Sequence, residues 1–447
     1  MQSQIRTFSY PNGELQRVQT LRLDDWQQLE FFQPEPSDRA IGCFERIYRQ
    51  FLVPACPWLF GNMVMFRLPE DMQMPFSRDT AKYGRLSHRL TAAAAALERG
   101  VRFRGKTPVF RDETTKHFYR ELEKRNCLYV VRGRLPITTI IPVGNLSGFL
   151  TEAAPDAAMK VNASFFIMDR FDCATVYDHI GVHLGLCVKN GVVENPPLYR
   201  REALLVKKDG TVSVTMPELH DLTIEIRGVC YAPGKNAALY TRPDRLRTPR
   251  TGGKKLVIIG CRVEAVAEEG SVPIPASGFV LCPEGDCAVC TGDLVTYHGL
   301  EDVAFGIQVG NSIVKNGIKT EKFLSRFYNI RHLEPVPYPP SLYPMNFRTG
   351  RAARIALGAD QDGKPMLLWA EGAGKLKYTP GKDSCGASLA EMAEICTQVG
   401  MVNAVNLDGG GSGQILLKNR RSLLISDRRE EDTSEWERPV PLALMIR

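Results

Sequence analysis

Paired turn residues recur between short apolar runs from about Cys127 to the end of the chain. An Asn or Asp followed by Gly readily adopts positive φ angles and is typical of a two-residue β-hairpin turn. Such pairs occur at Asn190-Gly191, Asp209-Gly210, Asn316-Gly317 and Asp362-Gly363. The apolar runs between them predict strands at 128–132, 138–143, 203–207, 256–259 and 365–370. We therefore expect antiparallel sheet to dominate this part of the chain.

Residues 1–125 have a different pattern. Helices are predicted at 45–52, 80–97 and 113–125, with several prolines between them. We find no motif of known chemistry here, and we expect a helical N-terminal extension that packs on a main domain of residues 126–447. A separate partner-binding module is the alternative for this segment. The expected fold class is α+β, with a β-rich mixed domain, largely antiparallel sheet and packed helices.

Composition limits the function classes. The 447 residues are 44% hydrophobic and 24% charged, which is ordinary for a globular protein. The net charge of +7 suits an anionic substrate, but it is spread along the chain and does not indicate a nucleic-acid binder. No secretory signal or membrane span is recognisable, so a cytoplasmic protein with free thiols is expected. The oligomeric state is not determined by these features.

A helix followed by a strand leads into the most informative stretch. Ser388 and Glu391 form a capping box, which predicts a helix start at this point. A strand predicted at 402–407 then runs into Asp408 and the glycine run 409–411. Three consecutive glycines let backbone approach a ligand closely, and their amide groups can converge on an anion. A flexible hairpin loop is the structural alternative.

Several stretches, taken in order, resemble the phosphodiester glycosidase family. They are 161–166 (Val-Asn-Ala-Ser-Phe-Phe), 274–279 (Ile-Pro-Ala-Ser-Gly-Phe), 354–358 (Arg-Ile-Ala-Leu-Gly), 386–391, 407–412 and 438–440 (Arg-Pro-Val). The resemblance covers the chain from about Leu128 to its end. It implies a hydrolase that cleaves a glycosyl phosphodiester, a sugar-1-phosphodiester with an α-linked N-acetylglucosaminyl group as one candidate, or a related glycan linkage such as that of a bacterial exopolysaccharide. No cofactor is expected.

This chain departs from the family pattern at three places. They are Ala163-Ser164 in place of a glycine pair, Ser412-Gly413 in place of a serine pair, and Glu371-Gly372-Ala373 in place of Asp-Gly-Arg. Lys375 or Lys377 are candidate replacements for the missing arginine, although a lysine does not reproduce the planar bidentate contact of a guanidinium.

The resemblance and the chemistry together predict a site. Asp408 is the expected catalytic carboxylate, as nucleophile or as base for water, and Glu371 is the expected second carboxylate. Arg354 is the expected phosphate clamp, since a guanidinium pairs bidentately with phosphate oxygens. The predicted substrate-binding residues are Asn162, Asn406, Gly409, Gly410, Gly411 and Ser412. For Arg354 an interstrand salt bridge is the alternative, and for Glu371 an exposed strand end.

Other potentially reactive residues receive structural interpretations. Glu391 is better explained as the capping partner of Ser388. His179 and His183 have the spacing of a helical metal site, but Gly181 and the following strand argue against a helix. Cys282, Cys287 and Cys290 suggest zinc, yet a complete ligand set is not recognisable, so no metal is predicted.

Two functional hypotheses follow. The first is an active hydrolase that acts on a sugar phosphodiester or related glycan. The second is a non-catalytic module that binds a sugar phosphate or glycan on the same fold, and the altered segment 371–373 motivates it.

Overall fold

A computed structural model gives the fold of most of the chain. The residues it describes are 1–35, 37, 39–40, 42–43, 62–69, 71–76, 86–131, 137–142, 148–167, 173, 175, 177–178, 181–242, 244–321, 350–373, 378–421 and 437–447. The helix predicted at 45–52 lies outside these residues, as do His179, Lys375 and Lys377.

Strands make up most of the regular structure. Up to residue 142 they are β1 Gln2–Ser9, β2 Leu15–Arg22, β3 Glu30–Phe32, β4 Asn62–Phe66, β5 Val101–Arg104, β6 Thr107–Phe110, β7 Leu128–Val131 and β8 Ile137–Pro142. The middle of the chain contains β9 Met159–Asn162, β10 Cys187–Lys189, β11 Val192–Asn195, β12 Ala203–Lys207, β13 Val212–Thr215, β14 Thr223–Ile226, β15 Val229–Tyr231, β16 Ala237–Thr241, β17 Lys255–Ile259, β18 Arg262–Ala267, β19 Gly278–Pro283, β20 Val295–His298 and β21 Val303–Ile307. The remainder are β22 Ser312–Lys315, β23 Ile318–Lys319, β24 Arg354–Asp360, β25 Pro365–Ala370, β26 Met401–Asn406, β27 Ile415–Leu417, β28 Arg420–Arg421 and β29 Ala443–Ile446.

The largest sheet positions the candidate site. Its seven strands lie in the order β1-β2-β25-β24-β26-β22-β23, and every neighbouring pair is antiparallel. A second sheet, β28-β27-β9-β29-β3, supplies the other wall of the main hydrophobic core. Side chains from both sheets meet there, including Val18, Leu357, Val161 and Leu444.

The remaining sheets build two further units. Residues 185–307 form the five-stranded sheet β11-β10-β21-β12-β13, the three-stranded sheet β15-β14-β20 and the four-stranded sheet β16-β19-β17-β18. Between residues 62 and 142, β7-β4-β8 and the hairpin β5-β6 pack with two helices around a core of their own. In this unit β4 and β8 are parallel, whereas the other pairs of both units are antiparallel.

The α-helices whose bounds lie within the described residues are α1 Leu86–Gly100, α2 Glu113–Lys124 and α3 Leu389–Gln398. Helix α3 packs against β22, β24 and β26 of the large sheet. Its predicted capping box is confirmed, because the Ser388 hydroxyl accepts from the Glu391 amide while the Glu391 carboxylate accepts from the Ser388 amide at 2.8 Å. Small residues on β24 and β26, such as Ala356 and Ala404, leave room for this helix.

The predicted hairpin turns are confirmed. Asn190-Gly191 joins β10 to β11, Asp209-Gly210 joins β12 to β13, Asn316-Gly317 joins β22 to β23, and Asp362-Gly363 joins β24 to β25. The glycine of every pair has a positive φ angle, between 75° and 87°. This backbone conformation is the reason for the glycines at these turns.

The expected helical N-terminal extension is wrong as a description of the first residues. Strand β2 hydrogen-bonds to β25 along five residue pairs, from Val18 opposite Ala370 to Arg22 opposite Met366, and β3 pairs with β29. Strand β1 lies at the sheet edge with exposed, mostly polar residues, so it lacks the apolar alternation that announces a strand. Helices α1 and α2 confirm two of the predicted helices in approximate position. The domain boundary at residues 125 and 126 stays a prediction.

The packing of β2 gives a test of its place in the core. Leu21 is fully buried, whereas Ile5 on the paired strand β1 is 40% exposed. We expect Leu21→Ala to lower the free energy of unfolding by about 2–5 kcal/mol, because a buried leucine leaves a cavity. The matched control Ile5→Ala should change it by less than about 0.5 kcal/mol. Urea unfolding measures both, and an equally small effect at Leu21 would contradict integration of the N-terminal hairpin.

Candidate functional site

Strand register brings the predicted site residues to one edge of the large sheet. Ala370, the last residue of β25, lies opposite Arg354, the first residue of β24. Strand β26 ends on the other side of β24, with Asn406 opposite Ala356 and the Leu407 amide donating to the Ile355 carbonyl at 2.8 Å. Asp408 follows directly, and the charge of Arg354 acts on its carboxyl group, so the two residues lie close together. Their roles in a functional site stay a prediction.

Asp408 is a buried carboxyl group, 9% exposed. Burial raises the pKa of its carboxyl from the usual value to about 7. The charge of Arg438, hydrogen bonds from the Ser412 hydroxyl and the Gly409 amide, and the charge of Arg354 lower the pKa, but burial outweighs them. The group therefore gains and loses its proton near neutral pH, which is the range required of a general base.

The glycine run forms a tight turn. Residues Gly410–Ser412 make one 3-10 turn, in which the Ser412 amide donates to the Gly409 carbonyl at 3.0 Å. The Gly410 amide donates to the Ala353 carbonyl at 2.7 Å. The Gly410 amide is thus used within the protein, whereas the predicted convergence of the glycine amides on an anion stays a prediction.

Close packing explains two of the glycines. A Cβ atom on Gly409 would lie 2.5 Å from the Ala353 carbonyl oxygen, and one on Gly411 would lie 2.5 Å from Nη2 of Arg438. Both contacts are too short for a real side chain. The glycines thus admit the β24 backbone and the Arg438 guanidinium next to Asp408.

Asn162 holds the turn in place. Its Nδ2 donates to the Asp408 carbonyl at 2.7 Å, and its Oδ1 accepts from the Gln414 amide at 2.8 Å. The side chain is 1% exposed. These contacts fix the backbone on both sides of the glycine turn, whereas the predicted contact of Asn162 with substrate stays a prediction.

Asn406 differs from Asn162, because neither polar atom of its side-chain amide has a hydrogen-bond partner in the part of the chain that the structure describes. The residue is 1% exposed. Gly310 packs against it, since a Cβ atom there would lie 2.8 Å from Asn406 Nδ2. A buried amide without a partner is costly, so the position is consistent with a polar ligand.

Arg354 is anchored to backbone. Its Nε donates to the Ala387 carbonyl at 3.1 Å and its Nη2 to the Gly350 carbonyl at 2.9 Å. Its charge acts on Asp408 from this fixed position. Arg354 therefore orders the chain before α3 as well as supplying positive charge to the site.

Arg438 belongs to the site but was not among the predicted site residues. Its Nη1 donates to the Ser412 hydroxyl at 3.3 Å, and its charge is the largest of the effects that lower the pKa of Asp408. The signal in the sequence was the stretch 438–440, which the resemblance had already included. Only the fold shows that this arginine reaches the glycine turn.

Glu371 lies at the same sheet edge in a different environment. Its carboxylate accepts from Nε of Arg17 at 2.5 Å, and the Glu371 amide donates to the Arg17 carbonyl at 2.9 Å. The Glu371 side chain is almost completely buried, at 3% exposure. Glu371 is not among the groups that act most strongly on Asp408. Sequence reasoning missed Arg17 because it precedes Glu371 by 354 residues.

The other candidates of the sequence have structural surroundings. His183 forms a β-bridge with Phe166, and burial lowers the pKa of its imidazole to about 4, so it is neutral at neutral pH. Cys282, Cys287 and Cys290 are free thiols. Within the described ranges, no group of three His, Cys, Asp or Glu side chains is arranged to hold a metal ion. No helix in those ranges is long and apolar enough to cross a membrane.

Comparisons with known proteins point to one family. The family model described as phosphodiester glycosidase matches residues 276–447. N-acetylglucosamine-1-phosphodiester alpha-N-acetylglucosaminidase of Mus musculus is 27% identical over 212 residues, which cover 42% of this chain and 37% of that protein. The Homo sapiens protein of the same name is 32% identical over 95 residues, covering 21% of this chain and 16% of that protein. This chain thus spans well under half the length of these relatives.

A solved structure gives a further comparison. The zebrafish N-acetylglucosamine-1-phosphodiester alpha-N-acetylglucosaminidase catalytic domain, described as auto-inhibited by its pro-peptide, is 15% identical with a TM-score of 0.32. The match covers 68% of this chain and 67% of that chain. The family match includes Arg354, Glu371, Asp408 and Arg438, whereas Arg17 and Asn162 precede it. The resemblance predicted from the sequence is confirmed, since residues 276–447 of this chain match the phosphodiester glycosidase family model.

Proposed function

We propose that this protein is a hydrolase that cleaves a glycosyl phosphodiester, with Asp408 as its central carboxylate. The observation that carries the proposal is the buried Asp408 carboxyl, whose pKa is raised to about 7 while Arg438 and Arg354 place positive charge beside it. Such a site attracts a phosphodiester anion and has a group able to accept a proton at neutral pH. The family match over residues 276–447 supports this class of reaction.

The proposed reaction breaks the bond between the anomeric carbon and a phosphate oxygen. The bonding electron pair leaves with the phosphate monoester, which is already a stable anion and needs little protonation. A water oxygen forms the new bond to the anomeric carbon, and the water proton passes to Asp408 if this residue acts as base. Attack by Asp408 itself, followed by hydrolysis of a glycosyl–enzyme intermediate, is the other route, and the two differ in anomeric outcome.

Glu371 is the second carboxylate of the proposal. Its ion pair with Arg17 stabilises the charged form, which suits stabilisation of a positively charged, oxocarbenium-like transition state better than proton donation. The sugar of the substrate is proposed to be an α-linked N-acetylglucosaminyl group, as in the names of the matched relatives. Asn406, with its unpartnered buried amide, is proposed to contact a polar group of this sugar.

A binding module without catalysis is the second candidate. The Arg17–Glu371 ion pair favours this candidate. Glu371 is engaged by Arg17 and is not among the groups that act most strongly on Asp408, so the two carboxyl groups are not arranged as a close catalytic pair. In that case the two arginines beside Asp408 would retain a sugar phosphate without turning it over.

The substitution Asp408→Asn separates the two candidates. We expect the wild-type protein to release free sugar from an α-N-acetylglucosaminyl phosphodiester, and the variant to lose at least about 100-fold in kcat, since it has no base. Release of sugar is measured by chromatography across a panel of sugar phosphodiesters. The matched control is Asp362→Asn, an exposed residue in the turn at the opposite end of the same sheet, which should retain wild-type kcat. Binding by calorimetry without release of sugar by the wild type would instead identify a binding module.

The raised pKa of Asp408 predicts the pH dependence. A base or nucleophile acts in its ionised form, so kcat/KM should rise with pH and reach half its plateau near the pKa of about 7. The control variant Asp362→Asn should show the same rise of kcat/KM with pH. An acid limb centred near the ordinary aspartate pKa of about 3.9, or a fall of kcat/KM through neutral pH, would contradict the role given to Asp408.

A further inference from the structure

Arg17 presents unused hydrogen-bond donors at the edge of the site. Its Nε contacts Glu371 at 2.5 Å, while its Nη1 and Nη2 form no hydrogen bond or ion pair within the described part of the protein. The side chain is 34% exposed, in contrast to the buried Glu371. A guanidinium in this state can bind an oxyanion through its terminal nitrogens without breaking its ion pair.

The backbone of Arg17 is fixed on both sides. Its amide donates to the Ser384 hydroxyl at 3.0 Å, and its carbonyl accepts from the Glu371 amide at 2.9 Å. The next residue, Val18, lies opposite Ala370 in the sheet. Arg17 therefore has a fixed backbone position in β2, and the contact of its Nε with Glu371 orients the guanidinium.

Register places Arg17 on the side of the sheet where the glycine turn packs. Because Arg354 lies opposite Ala370, the residues next to them, Ala353 and Glu371, also lie opposite each other. Arg17 contacts Glu371 from the strand on its other side, so the three residues form one row across the sheet. A Cβ atom on Gly413 would lie 3.6 Å from Ala353 Cβ on that side. Two strand spacings of about 4.8 Å separate the backbones of Arg17 and Ala353, a gap that an arginine side chain and a bound phosphate can bridge.

The other arginines of the site use donors on the protein. Arg354 donates to two backbone carbonyls, and Arg438 donates to Ser412. The charges of Arg354 and Arg438 both act on the Asp408 carboxyl, so both arginines lie near the place where the sugar carbon must react. Arg17 lies on β2, which β25 separates from β24, and it is not among the charges that act most strongly on Asp408.

We propose that Arg17, contributed by the N-terminal hairpin, binds the phosphate of the glycosyl phosphodiester through its terminal guanidinium nitrogens. This inference rests on the proposed function for its substrate class. It makes the N-terminal hairpin, which lies outside the matched family region, part of the binding site, with Glu371 holding the guanidinium in place.

Binding of inorganic phosphate and turnover test the inference separately. We expect Arg17→Gln to weaken phosphate binding, measured by calorimetry, by at least about tenfold, since it removes a charge-assisted hydrogen bond. In the hydrolysis assay the same variant should raise KM for the phosphodiester by a similar factor. It should lower kcat/KM more for the phosphodiester than for a neutral aryl glycoside of the same sugar, because both substrates depend on Glu371 but only the phosphodiester presents a phosphate. The matched control Arg22→Gln, on the same strand at the opposite sheet end, should leave both values unchanged.

A second variant distinguishes loss of phosphate binding from loss of stability. Arg17→Gln leaves the buried Glu371 carboxylate without its cation, which is destabilising. The double variant Arg17→Gln/Glu371→Gln removes both charges, so it should show a higher Tm than Arg17→Gln while still failing to bind phosphate. Phosphate binding by Arg17→Gln equal to that of wild type, or no phosphate binding by wild type at millimolar concentration, overturns the inference. Arg17-dependent phosphate binding without hydrolysis would uphold Arg17 and reject the enzymatic function.

Discussion

The antiparallel pairing of β24 with β26 is the constraint on which the site depends. It carries the chain of β26 out of the sheet at Asp408, close to Arg354 on the neighbouring strand. From there the glycine turn folds back over the β24 backbone and excludes water from the carboxyl group. Burial then raises the pKa of Asp408 to about 7, against the opposing effect of Arg438 and Arg354. A surface aspartate between the same arginines would instead titrate below its usual range.

The N-terminal hairpin extends this arrangement to a second pair of charges. Strand β2 continues the large sheet beyond β25, and its first residues bind Glu371 through backbone and side chain. Gln16 adds a hydrogen bond from its Nε2 to the Glu371 carbonyl at 2.9 Å. The sheet edge thus combines one carboxyl group that titrates near neutrality with another that is held by an ion pair. Different surroundings separate the chemical behaviour of two similar side chains.

Local features of the chain were predictable from the sequence. The hairpin turns follow from the φ angles of Asn-Gly and Asp-Gly pairs, and the start of α3 follows from the Ser388–Glu391 capping box. The convergence of Asp408 and Arg354 followed from the resemblance. The hairpin of β1 and β2 was missed because β1 is a polar edge strand, and its neighbour pairs with residues more than 340 positions away.

The contacts of the site were less predictable than its position. The glycine run indicated an anion cradle, yet the Gly410 amide donates to Ala353, and the missing Cβ atoms leave room for Ala353 and Arg438. Anion binding and close packing both favour glycine, so the sequence does not distinguish them. The Arg17–Glu371 ion pair joins residues 354 positions apart, and sequence spacing holds no information about such a contact.

The role of Asp408 is tested most directly by a crystal structure of the Asp408→Asn variant with an α-N-acetylglucosaminyl phosphodiester bound. We expect the anomeric carbon within about 3.5 Å of the side chain at position 408, with the phosphate at the sheet edge where Arg17 lies. A ligand bound elsewhere, or bound with its anomeric carbon remote from this residue, would contradict the role of the buried carboxyl as the centre of the site.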